Sequence, residues 1–317
     1  MMGNKKKLNL ADVLGFRQQS ATDEPGQAVA ALRHLIALSL LENINYRSCY
    51  YYFSPETSVS MPVTALFPYF ILTSDRVITI SATFSQAVLY QDTAIIDLYR
   101  AEFDRLVARS QTFIEESTDL FEVYTMEQIR QLKHVVEPLP CFAYYIDREL
   151  LEANMNKDFP YYQTLLEMAV NHYGNIQREN PNIINVFSLK NLEQFMKDGR
   201  LNFPDEVYNV VKPADRLYLL RLVRDDLANN RRSYYAIDEE QIFMNGSTEF
   251  SNEQNLIRVI LHYRKDNQLV FKAFEIYEPS VVAAFDDFFT SLIKSKYILP
   301  KEQTLAELDR LMQICDV

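Results

Sequence analysis

Glycine is scarce in this chain, with six among 317 residues, and the shortage removes a class of chemistry. Loops that cradle phosphates need several glycines so that backbone N–H groups can approach the ligand, and neither the GxGxxG nor the Walker spacing occurs. Four histidines, His34, His134, His172 and His262, are scattered with no two at helical ligand spacing, so each reads as a surface or packed side chain. The HExxH and CxxC patterns of metal sites and the GxSxG elbow of serine hydrolases are absent. No cofactor is therefore expected. Three cysteines, Cys49, Cys141 and Cys315, lie far apart and are odd in number. That argues against a disulfide framework and for a reducing compartment, which makes the cytoplasm the expected location.

Long apolar runs are also lacking. The stretch "AVAALRHLIALSLL" carries Arg33 and His34, and "MPVTALFPYFILT" is broken by Pro62 and Pro68, so neither is expected to span a bilayer. The opening "MMGNKKKL" has no signal-peptide core and lacks the Ser or Thr of the myristoylation pattern. Positive charge is outnumbered: 32 Lys and Arg against 43 Asp and Glu give a formal net charge of −11. The averaged field repels phosphate backbones and anionic lipid, so neither direct nucleic-acid binding by this chain alone nor a membrane partner is expected. The early Lys5, Lys6, Lys7 and Arg17 run against that balance and read as a solvated tail.

What is present is the composition of a folded globular protein, 48% apolar and 24% charged, with 20 Tyr and 20 Phe and no Trp. The length fits two domains or a duplicated unit with an insert. Residues 1–27, with "QQSATDEPGQ", read as a polar tail or linker. Apolar positions Val29, Leu32, Leu35, Ile36, Leu38 and Leu41 then follow a helical period. After them come three strands, "YRSCYYYF", "PYFILT" and "VITIS", the last two joined by the turn "SDR". Asp92 and Thr93 are placed to cap a helix with Ile95, Ile96, Tyr99, Phe103, Leu106, Val107 and Phe113 on its apolar side.

The same order recurs later. Leu217, Leu220, Leu222, Val223 and Leu227 predict a helix, "RRSYYAI", "LIRVILHY" and "LVFKAFEIY" predict strands, and Pro279 opens a further helix. Sliding the chain so that Leu32 meets Leu217 also pairs Asn45 with Asn230, Arg47 with Arg232, Ser48 with Ser233, Tyr50 with Tyr235 and Phe103 with Phe288. The expected fold is α+β, with two related α-β-β-β-α units, residues 28–127 and 213–317, flanking a mostly helical middle segment, residues 128–212. Such halves are expected to pack against one another or each beneath its own helices.

Two groups of residues are candidates for chemistry. Tyrosines crowd the equivalent strands, and a seam lined by Tyr46, Tyr50, Tyr52, Tyr234 and Tyr235, with Arg47 and Arg232 beside them, would offer an aromatic pocket with polar handles. The competing reading is ordinary strand core with hydroxyls at the rim. Cys141 in "EPLPCFAYY" follows His134 by seven residues, with Pro138 and Pro140 between them, and would need that base, or a cation, to become a nucleophile. The alternative is a small buried thiol. The carboxylate doublets Asp225–Asp226, Glu239–Glu240 and Asp286–Asp287 read as solvated surface.

The stretches "LFPYFILTSDRVITIS" with "DTAIIDLYRAEF", "FSLKNLEQFMKDGRL" with "PADRLYLLRLV", and "EIYEPSVVAAFDDFFTSLIKSKYILPKEQTLAEL" resemble bacterial helix-turn-helix transcriptional regulators that carry a long C-terminal portion. The resemblance implies an effector-sensing or assembly portion and carries no catalytic residues across. The residues before Ala28 are too few for a recognition helix with its supports, so the DNA-reading part is expected to be missing here or supplied by a partner. The leading expectation is thus a non-enzymatic sensing or oligomerisation module, with a small molecule or a protein as effector and a homodimer as candidate assembly. Two alternatives stand beside it: an enzyme with a non-standard site on Cys141 and His134 or the tyrosine cluster, and a self-associating scaffold.

Overall fold

A computed structural model describes residues 8–17, 44–53, 67–117, 131–180, 182–201, 206–242, 244, 246–265 and 268–314. The chain divides into two compact units, Met1–Ile114 and Glu115–Val317. The helix expected between Val29 and Leu41 lies outside the described residues. The α+β class holds: the described residues form helices together with a mixed β-sheet and a small antiparallel one.

The amino-terminal unit carries β1 (Leu8–Arg17), β2 (Ile44–Phe53), β3 (Tyr69–Leu72), β4 (Val77–Ile80), β5 (Ala87–Tyr90), α1 (Thr93–Arg109) and the start of β6 (Gln111–Ser117). Strand β1 departs from the expected tail. Leu10, Ala11, Val13, Leu14 and Phe16 make a short apolar run that the polar stretch after it had masked. It pairs in parallel with β2 from Leu8 opposite Ile44 to Arg17 opposite Phe53. Buried Phe16 meets Tyr50 edge-on at 5.8 Å and Phe113 at 5.6 Å. The helix forecast through Phe113 stops at Arg109. Ser110 adopts extended backbone and its hydroxyl bonds back to the Leu106 carbonyl, after which Phe113 is buried in β6.

Helix α1 begins where Asp92 was expected to cap it, the carboxylate accepting from the amides of Ala94 at 2.8 Å and Ile95 at 3.3 Å. Two otherwise orphaned donors are satisfied. Replacing that acceptor, in Asp92→Ala, is expected to cost about 1 kcal/mol of stability, read as a lower urea midpoint at unchanged m. Strands β3, β4 and β5 form a small antiparallel sheet in that order.

The carboxy-terminal unit contains β7 (Leu132–Glu137), a 3-10 turn (Phe142–Tyr144), α2 (Arg148–Asn154), α3 (Tyr162–Glu179), β8 (Ile184–Phe187), α4 (Leu189–Asp198), α5 (Pro213–Ala228), β9 (Ser233–Ala236), β10 (Thr248–Glu253), β11 (Ile257–Lys265), β12 (Gln268–Ile276), α6 (Pro279–Leu292) and α7 (Lys301–Ile314). The middle segment is therefore not simply helical: β7 and β8 are short apolar strands that periodicity alone does not separate from helix. The strand order is β12-β11-β10-β7-β8-β9, antiparallel as far as β7 and parallel from β7 to β9. Parallel neighbours need long crossovers, here α2 with α3, then α4 with α5.

This connectivity overturns the expected equivalence of the halves. Strand β2 lies between β1 and β6, apart from the sheet of β3 and β4, whereas β9 lies parallel to β8 in one sheet with β11 and β12. The shared residues sit differently in the two places: Asn45, Arg47 and Ser48 lie within β2, whereas Asn230 and Arg232 form the turn before β9.

The core of this unit sits where the crossover helices cover β8 and β9. Phe187, Leu192, Leu220, Val223, Leu308 and Leu311 are fully buried in one cluster, each contributing about 1.5–3 kcal/mol. Helix α4 ends on Gly199, whose φ of 68° and whose approach to the Val211 carbonyl, 2.4 Å from where a Cβ would stand, leave no room for another residue.

Candidate functional site: a cation-lined cleft beside a tyrosine network

Register across the parallel strands puts Val135, Asn185 and Tyr234 in one row, and parallel pairing points side chains in such a row to one face. On that face the polar groups interlock. The Asn185 amide donates to Glu137 at 2.7 Å and its carbonyl accepts the Cys141 N–H at 3.1 Å. The Tyr234 hydroxyl donates to the Cys141 carbonyl at 3.1 Å and lies 3.0 Å from that of Tyr145, which donates to Asp226 at 2.8 Å. Asp226 also holds Arg232 at 3.1 Å and Arg231 at 3.0 Å, and the Arg232 guanidinium sits 3.3 Å from the centre of the Tyr144 ring. A cation over an aromatic face is stabilised by the ring quadrupole.

Burial sets the acidity of these groups. It drives the Tyr234 hydroxyl far up, with Tyr145 and Cys141 adding to it, and it raises Tyr145. Tyr144 is pushed up to about 12, again mainly by burial. The Cys141 thiol is likewise raised well above its ordinary range by burial and then by Glu137. All four stay protonated near neutrality. The neighbours of Cys141 are thus Glu137, Asn185 and Tyr234, whereas His134 faces Asp286 at 3.6 Å and stacks on Phe289.

Against the outer end of this network lies a cleft of about 380 Å³. One wall is the turn from α5 into β9, Asn230 to Tyr235, and the other is Ile293 to Lys301 with Thr304. Asn230 holds a φ of 53°, a left-handed turn that Asn tolerates better than most residues. It swings Arg231 and Arg232 back over Asp226. The second wall is fastened to the free edge of β9: the Leu299 amide donates to Ala236 at 2.9 Å and that of Asp238 to Tyr297 at 2.8 Å. Lys301, first residue of α7, donates to the Ala228 carbonyl at 3.1 Å and to Asn230 at 2.6 Å, closing the end of α5. The lining holds three cations, Arg232, Lys294 and Lys301, with the hydroxyls of Ser233, Ser295 and Thr304, and no carboxylate among the described residues.

The usual ligand position of parallel α/β units, outside the carboxyl ends of the strands, is already filled. Glu239 accepts from the Ser188 hydroxyl and from the Lys190 amide at 2.8 Å, so the chain's own carboxylate occupies the start of α4. The open cleft is displaced to the other end.

Of the predicted residues, Arg232, Tyr234 and Tyr235 line this cleft. Tyr46, Arg47, Tyr50 and Tyr52 lie on β2 in the amino-terminal unit. There Tyr46 donates to Asp12 at 2.6 Å, Tyr50 to Gln111 at 2.7 Å, and Tyr52, 43% exposed, meets Tyr50 edge-on. Lys294, Ser295, Lys301 and Thr304 escaped sequence reasoning. Their one signal was the basic run "IKSKYILPK" in an acidic chain. No group of His, Cys, Asp and Glu able to hold a metal occurs among the described residues, and no helix there is long and apolar enough to cross a membrane.

The chain is thus an α+β protein whose carboxy-terminal unit carries a cation-lined cleft at the edge of a short parallel sheet. No family model and no curated protein matches it. Among solved structures it is similar to TrmBL2, an archaeal chromatin protein whose structure shows a novel mode of DNA binding, at 12% identity and a TM-score of 0.25, with 62% of this chain and 60% of that chain covered. At that score the two folds are not equated.

Proposed function

We propose that this chain is a non-enzymatic, cytoplasmic sensing module of a bacterial transcriptional regulator, and that the cleft beside β9 receives a small anionic effector. The observation that carries the reading is the lining: three cations with the Ser233, Ser295 and Thr304 hydroxyls and no carboxylate among the described residues, in a protein whose formal net charge is −11. A concentration of one sign against the overall balance focuses field on a matching ligand. Tyr234 links the cleft to the buried network through Cys141 and Tyr145. An anion drawing Arg232 outward would compete with Asp226 and with the Tyr144 ring, so that binding is coupled to the packing of the 3-10 turn. The regulatory assignment draws on the sequence stretches that resemble the long portion of helix-turn-helix regulators. Against the enzymatic alternative stand the raised Cys141 thiol and the separate surroundings of His134.

A thermal-shift series with inorganic phosphate, hexose phosphates and di- and tricarboxylates tests the reading. One class should raise the melting midpoint by several degrees, since a ligand at a hundred times its Kd adds about 2.7 kcal/mol, and Lys294→Ala should remove most of that rise. No response to any anion, or salt-resistant and sequence-specific retention of duplex DNA by the pure chain, would overturn it.

A further inference from the structure

The small sheet of the amino-terminal unit has one face covered and one bare. Register pairs Tyr69 with Ile80, Ile71 with Ile78, Ile78 with Leu89 and Ile80 with Ala87, so these six residues share a face. All six are apolar. The opposite face is largely covered: Val77 and Thr79 are buried there, and the Phe70 ring lies 5.0 Å from that of Tyr99 on α1, with Val88 exposed at the β5 edge. On the bare face Tyr69, Ile71 and Leu89 are 47%, 53% and 54% exposed. The turn into β5 extends it, because Phe84 is 69% exposed and stacks on Tyr69 at 4.9 Å. Phe84 also holds a φ of 57°. A bulky residue in the left-handed region is strained, and such strain clusters at contact and ligand sites.

We infer that this face is the contact between two copies of the chain, packed sheet against sheet about a twofold axis. The face carries no charged residue at any of its six register positions, so it pairs with itself without opposing like charges despite the net charge of −11. Its exposed apolar area is on the order of 500 Å² per copy, the upper range for a monomer's largest patch, and two copies together reach the roughly 1,000 Å² that a specific interface needs. Sheets stacked face to face pack about 10 Å apart with interdigitated side chains, and alternating large (Tyr69, Ile71, Leu89) and small (Ala87) residues suit that packing. A bilayer is the poorer occupant, since an interfacial anchor carries basic residues beside its apolar face and this face has none on its strands.

Sedimentation velocity on the full chain, from about 1 to 100 µM, tests the inference. The unaltered protein should move to twice the chain mass within that range. Ile71→Asp should weaken the dimer at least tenfold while keeping the far-UV spectrum, because the side chain replaced is exposed. Phe84→Gly, at a backbone angle that glycine adopts without strain, should also weaken it and keep its fold. A chain that stays monomeric throughout, a dimer that survives both substitutions, or a monomer that floats with neutral phosphatidylcholine vesicles would each overturn the proposal.

Discussion

Arg258→Met should lower the unfolding free energy of the chain by about 3–5 kcal/mol, because it removes the guanidinium that two buried carboxylates share. Arg258 on β11 is 3% exposed, and Glu253 on β10 and Glu275 on β12 are 1% exposed. Its Nη1 lies 3.0 Å from Glu253, while Nε and Nη2 reach Glu275 at 3.0 and 2.6 Å, and the Tyr277 hydroxyl donates to the far oxygen of Glu275. Three neighbouring strands are thus tied by one guanidinium, whose fixed fork suits two acceptors better than a lysine would. Charges so placed cost much to desolvate, and the attraction offsets that cost only while the set is complete. Replacing the set together, as Arg258→Met with Glu253→Leu and Glu275→Leu, should therefore recover most of the loss or exceed the starting stability. Urea unfolding separates the two outcomes. Equal damage from the single and the triple replacement would show that packing volume, and not an orphaned charge, sets the penalty.

Phe187→Ala is expected to cost about 3–5 kcal/mol and to weaken anion binding at the cleft as well. Phe187 ends β8, is fully buried, and meets the Tyr234 ring edge-on at 6.5 Å. Its amino-acid partners Leu220, Val223, Leu308 and Leu311 come from the two helices that flank the cleft. A cavity there removes support from β9 and from α7, the elements that carry Tyr234 and Lys301. Differential scanning calorimetry reads the first effect and a titration with the anion found by thermal shift reads the second. A loss of stability with unchanged affinity would mean that the cleft is held by its own turn and not by the core beneath it.

The helices were the legible part of the fold. Asp92 before a run with apolar residues at helical spacing, and Pro279 after Glu278, are start signals written in adjacent residues, and both helices begin there. Strands with long-range partners were less so. "VITI" and "LIRVILHY" announce themselves by composition, but "LKHVVE" and "INVF" become strands because each finds a parallel neighbour nearly fifty residues away, and nothing local encodes that pairing. The repeated "YRS" and "RRS" illustrate the same limit. Both lead into a tyrosine strand, yet one strand lies between β1 and β6 and the other parallel to β8. Part of one wall of the cleft was visible as Arg232, Tyr234 and Tyr235. The remainder arrives from Lys294 to Thr304, brought in by backbone bonds from Leu299 and Tyr297 to the edge of β9. Asp12, which receives Tyr46 and Ser48, was hidden in a stretch that reads as tail.

The measurement that tests the account most directly is a crystal structure of the full chain soaked with the anion selected by thermal shift. The account predicts electron density between Lys294, Lys301 and Arg232, with the guanidinium drawn from its place over Tyr144. Density for the anion at any other surface, with the cleft unchanged, would contradict it.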